Sequence, residues 1–122
     1  MEIMIYTKCK PWKKLDKRDK KSVITNLSKL AAKIESYNCD INRIFNADSI
    51  TYDRINDSIF ICKAHSADNK QLRVVYGIVK KENNDALCMI DFTFKKKNNK
   101  EYISEFAKYK DTKIESLTFE TA

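Results

Sequence analysis

The sequence predicts an α+β domain, and three observations carry that expectation. A short alternating run opens the chain, a long helical face follows it, and three strand-like runs joined by short polar links fill the second half.

Taken in order, "EIMIYT" alternates in polarity and is expected as a first strand. Pro11, within "KCKPWKKLDKRDKK", marks a break before a helix. From Leu15 onward, Val23, Leu27, Leu30, Ala31, Ile34 and Tyr37 fall on one helical face. Lys17, Lys20, Lys21, Ser28 and Glu35 occupy the other face. This predicts a helix of about twenty residues, either continuous or bent near Ser22 into a helical hairpin. Residues 38–58 keep no period and are expected to connect, with a short strand through Ile50 and Tyr52 as one option. The runs Ile59–His65, Gln71–Lys80 and Ala86–Phe94 are linked by "SADNK" and "KENND", which predicts a three-stranded antiparallel meander. The second and third runs are nearly continuous in apolar residues, as expected of central strands covered by the helix. A short C-terminal helix is expected over Asn99–Lys110, with Tyr102, Ile103, Phe106 and Tyr109 turned inward. The tail Asp111–Ala122 either adds a short strand or hangs free. On this reading the helices lie on one face of a twisted sheet and the other face is concave and partly solvated.

At 122 residues the chain has the length of one domain, 1–122. With one Gly and one Pro, its turns have to be built from Asn, Asp and Ser. The formal charge of +7 is unevenly spread: residues 1–37 hold ten basic against four acidic side chains, a net +6, and the remainder only +1. A basic N-terminal third favours a polyanionic partner. Cys9, Cys39, Cys62 and Cys88 form no CxxC pair, and one His accompanies them, so neither a zinc site nor any other cofactor is expected. Cys62 and Cys88 sit inside apolar runs, where cysteine behaves as a small hydrophobe. The opening "MEIMIYTKCK" is too short an apolar run for a signal peptide or membrane span, and a reducing cytoplasm fits best.

Strand alternation then sorts the chemistry-bearing residues. Phe60, Cys62 and Ala64 share one face, and Ile61, Lys63 and His65 share the other. Leu72, Val74 and Tyr76 oppose Arg73, Val75 and Gly77 in the same way. If the apolar set packs on the helix, then Lys63, His65 and Arg73 point to the open face. There they would meet Lys95, Lys96 and Lys97 at the end of the next strand, and Tyr102 a turn into the last helix. Such a cluster suits cleavage of an RNA phosphodiester by its own 2′-hydroxyl without a metal. Arginine grips two phosphate oxygens in a fixed fork, and a placed lysine stabilises charge on phosphorus. Tyr102, a phenol among cations, is the proton-transfer candidate. Taken singly, Arg73 equally suits a cross-strand ion pair, the lysines a solvated strand end, His65 a surface position and Tyr102 the core.

Residues 59–109, "IFICKAHSADNKQLRVVYGIVKKENNDALCMIDFTFKKKNNKEYISEFAKY", resemble the RelE/ParE toxin superfamily of bacterial type II toxin–antitoxin pairs. The resemblance lies in Lys63, in "LRVVY" at Leu72–Tyr76, and in "FTFKKK" at Phe92–Lys97 ahead of a terminal helix. It implies a RelE-like fold and a metal-independent, ribosome-dependent endoribonuclease acting on messenger RNA. Lys63 then orients or activates the attacking hydroxyl, Arg73 stabilises the phosphate, Lys96 takes the basic place at the last strand's end, and Tyr102 is catalytic or stacking. Lys13, Lys14, Lys17, Lys20 and Lys21, with His65, Lys95 and Lys97, are the expected RNA contacts. The implied partners are messenger RNA, the ribosome and a cognate antitoxin protein. Two alternatives stand beside this one: a ParE-like gyrase inhibitor of the same fold, and a non-catalytic nucleic-acid-binding domain.

Overall fold

The computed structural model describes residues 1–40, 43, 53–65, 71–82, 84–94 and 99–122. The chain is mixed α+β. Its strands are β1 (Glu2–Tyr6), β2 (Asp53–Arg54), β3 (Phe60–His65), β4 (Gln71–Lys81), β5 (Asn84–Thr93) and β6 (Phe119–Thr121). Between them lie α1 (Lys10–Lys13), α2 (Lys17–Ser36) and α3 (Asn99–Phe106), with 3-10 turns at Ala107–Tyr109 and Ile114–Ser116.

The expected meander is present as β3-β4-β5, but it is half of a larger sheet. Among the described residues, six strands run in the order β2-β3-β4-β5-β1-β6. β1 returns to pair in parallel with β5, Glu2 opposite Ala86, and the tail closes the far edge as β6. The option of a tail strand is therefore the one realised. β2 comes from the connecting region, whereas Ile50 and Tyr52 lie outside the described residues.

The long helix departs from expectation at its start. Pro11 precedes it as expected, but within a separate short helix, in the first turn of α1, where a missing N–H costs nothing. The break falls at Lys14–Asp16, and α2 runs unbroken through Ser22. Asp16 caps α2, its carboxylate accepting from the Asp19 N–H at 2.8 Å. With no glycine to end it, α2 closes through Asn38 and Cys39, both left-handed at φ 55°. The predicted stripe Val23, Leu27, Leu30, Ala31 and Ile34 is buried, and it packs on Ile5, Phe60, Cys62, Val74, Tyr76 and Met89.

The opposite face is where the expectation fails most. It is covered, not solvated. Ile59, Ile61, Val75, Cys88 and Ile90 form a second apolar layer beneath Tyr102, Phe106 and Ile114. The helices thus lie on both sides of the sheet, because the central strands are apolar on both faces and each face needs a cover. Within α3, Tyr102 and Phe106 point inward at helical spacing, while Ile103, expected inside, is 44% exposed. The helix also stops at Phe106 and tightens into a 3-10 turn, short of the expected Lys110.

A β-bulge changes the parity of β5. Val75 pairs with Asp91 and Tyr76 with Met89, which leaves Ile90 as the extra residue. Ile90 and Asp91 consequently sit on the same face, and Phe92 returns to the α2 side.

All four cysteines are free thiols, and only Cys39 is partly exposed. Burial pushes Cys62 up to about 12 and Cys9 and Cys88 up to about 11, from an ordinary 9.0. Native protein should therefore give one prompt thiol to Ellman's reagent and four after denaturation; two or more prompt thiols would contradict this packing. The raised values also fix a sign. Stability from the three buried thiols is complete below their ordinary value and is lost as pH rises through their folded values. Melting temperatures should fall progressively above about pH 9.

Candidate functional site

Two places concentrate polar chemistry, and both lie where β1 and β5 finish. The first was legible in the sequence. Lys63 and Arg73 are directly opposed across β3 and β4, and Thr93 is the next partner of Arg73 on β5. Opposed residues of neighbouring strands share a face, so two cations are set side by side. The Arg73 guanidinium carbon lies 4.7 Å from the centroid of the Tyr102 ring, a cation–π contact between β4 and α3. A strand pair and a later helix thus bring these three residues to one end of the sheet.

Their exposure differs from expectation. Lys63 is exposed, but Arg73 is 6% exposed and Tyr102 is fully buried. Arg73 does point to the face away from α2, yet that face is occupied by α3, so it does not open on solvent. The cause is the second apolar layer: Tyr102 and Phe106 carry α3 onto the sheet and place it over Arg73.

Lys95, Lys96 and Lys97 lie outside the described residues, as does the side chain of His65, whose backbone closes β3. Lys13, Lys14, Lys17 and Lys21 are exposed along α1 and the start of α2. Lys20 is half-buried, its Nζ 5.4 Å from the Trp12 ring centroid, which ties the two helices together.

The second place was not foreseen. A cleft of about 700 Å³ opens between α1, the end of β5 and the last turn of α3. Buried Cys9 and Phe92 and half-buried Pro11, Leu15 and Phe94 give it an apolar lining. Lys8, Lys10, Lys14 and Lys108 stand exposed around it. At its base is Asp91, 7% exposed. Its Oδ1 accepts from the Phe92 N–H at 2.8 Å, and its Oδ2 accepts from the Tyr109 hydroxyl at 2.6 Å. Lys108 Nζ lies 3.5 Å from the same Oδ2. Burial, followed by the bond to Asp91, pushes the Tyr109 phenol far above its ordinary range, so Tyr109 stays a proton donor to the carboxylate. A lone acid inside "LCMIDFTF" was the available signal, since a buried carboxylate has to be paired. Only the bulge at Ile90 determines which face it takes.

Among the described residues, no group of three His, Cys, Asp or Glu side chains is placed to hold a metal ion, and no helix is long and apolar enough to cross a membrane. No protein-family model, curated protein or solved structure matches this chain.

Proposed function

We propose that the chain is a RelE-like toxin: a metal-independent endoribonuclease that cuts messenger RNA on the ribosome in the cytoplasm and is neutralised by a cognate antitoxin protein. The observation that carries this reading is the direct opposition of Lys63 and Arg73, with Tyr102 against the guanidinium. In the reaction Lys63 orients or activates the 2′-hydroxyl. Arg73 and Lys96 hold the charge developing on phosphorus, and Tyr102 stacks on the substrate or transfers a proton. The exposed lysines of α1 and α2 hold ribosomal RNA through phosphate contacts. Because α3 covers Arg73, the reading requires that helix to lift before a phosphate reaches the guanidinium.

The burial of Arg73 and Tyr102 favours a second reading, in which the chain binds nucleic acid through its lysines and cuts nothing. Inducing the chain in bacteria and mapping messages by primer extension separates the two. Cleavage within codons is expected, and Lys63→Ala should reduce it about 100-fold or more. Lys63 is the informative position because it is exposed, so its loss leaves the cores intact. Growth arrest with intact messages and an SOS response points to gyrase. Absence of arrest, with RNA binding retained, favours the binding domain.

A further inference from the structure

The cleft between α1 and α3 has a composition that the proposed cleavage chemistry does not use. We infer that it takes one base of a single-stranded nucleic acid, its neighbouring phosphates resting on Lys10, Lys14 and Lys108. This rests on the nucleic-acid side of the reading above and not on its cleavage step.

Four features select that occupant. The cleft volume of about 700 Å³ lies in the range of small-ligand sites. Phe94, half-buried and edge-on to Phe92 with ring centroids 5.5 Å apart, offers an aromatic surface within the lining. Bases stack on such surfaces while cations track the backbone. The exposed lysines around the cleft are followed in sequence by exposed Lys13, Lys17 and Lys21, and repeated positive charge of this kind suits a polymer of repeated negative charge. The fourth feature separates nucleic acid from an acidic peptide. Glu105, exposed, lines the same cleft: a base with an exocyclic amino group can donate to its carboxylate, whereas a peptide carboxylate has no proton to offer it. A duplex is excluded on the same grounds, because it presents no unstacked base.

The geometry therefore predicts a preference among pyrimidines that stack alike. Cytosine carries an amino donor and thymine does not. Fluorescence anisotropy with labelled ten-nucleotide strands of deoxycytidine or thymidine reads this directly. DNA lacks the 2′-hydroxyl, so binding is measured apart from any cleavage. The deoxycytidine strand is expected to bind about 5-fold or more tighter than the thymidine strand. Phe94→Ala should weaken it roughly 5- to 100-fold with an unchanged circular dichroism spectrum. The exposed double variant Lys10→Gln/Lys14→Gln, which leaves the interior untouched, should reduce the slope of log K against log salt by about 1.4. Equal binding of the two strands, equal binding of a duplex, full competition by polyglutamate, or indifference to both variants overturns the inference. Cleavage of RNA by a chain whose DNA binding ignores the cleft would remove this site and leave the nuclease standing. Cleft-dependent binding without cleavage would do the reverse.

Discussion

Gly77→Ala is expected to destabilise the fold by about 3 kcal/mol, although it adds a single methyl group. A Cβ at position 77 would stand 2.1 Å from Ile114 Cδ1 and 2.7 Å from the Ser58 carbonyl oxygen. The first atom ends a side chain that is 98% withdrawn from solvent, and the second is backbone, so neither yields cheaply. Gly77 lies in β4 opposite Cys88, beneath the 3-10 turn Ile114–Ser116. Its missing side chain is what lets that turn seat on the sheet. Against a total stability of about 5–15 kcal/mol the loss is large, and the melting temperature should fall by on the order of 10 °C. Ile114→Val removes the nearer atom. The double variant should therefore be more stable than the sum of the single losses, by about 0.5 kcal/mol or more. Strict additivity in chemical denaturation would show that the contact with Ile114 is not the cause.

Asn56→Asp should cost at least as much at neutral pH, from the exchange of one amide for a carboxylate. The Asn56 side-chain NH2 donates to the carbonyls of Tyr109, Lys110 and Thr112 at 3.3, 3.1 and 3.0 Å. Its Oδ1 accepts from the N–H groups of Ser58 and Ile59, both at 2.9 Å. One side chain thus fastens the turn before β3 to the segment after α3. An aspartate keeps the accepting half and sets a second anionic oxygen against three carbonyls, leaving those acceptors unmet, for about 3 kcal/mol or more. The sign with pH follows. An aspartate in that place has a raised folded pKa, so its contribution is intact below its unfolded value near 4 and is lost as pH rises. The gap between variant and parent should narrow as pH falls from neutrality and be smallest below about pH 4 in urea titrations, and a gap independent of pH would count against this account. Hydrogen exchange should meanwhile accelerate over residues 107–116, the segment Asn56 holds.

Much of the architecture could be read from the chain because it rests on periodicity. The stripe from Val23 to Ile34 is buried as expected, and β3, β4 and β5 fall within a few residues of their predicted bounds. The pairing of β1 with β5 was out of reach, because no local pattern encodes a partner so distant in sequence. The covered second face was nearly legible. Its strands are continuously apolar in sequence, which implies two covers, yet only α2 is long enough to be recognised from periodicity as one. The trio Lys63, Arg73 and Tyr102 was found because alternation and helical spacing place single residues well. Its burial was missed because exposure depends on what α3 packs against. Asp91 escaped because one extra residue at Ile90 reverses the alternation from there onward.

The placement of β1 also sets the order in which the molecule can assemble. β1 lies between β5 and β6, and the hydroxyls of Thr7 and Thr118, 111 residues apart in sequence, meet at 2.7 Å. β1 therefore precedes both of its neighbours by long stretches of chain, Glu2 pairing with Ala86 of β5 and Met4 with Thr121 of β6. Pairings of that range form slowly, since the intervening loop has to close before any contact rewards it. Any fragment that stops short of Phe119 leaves one edge of β1 open to intermolecular association.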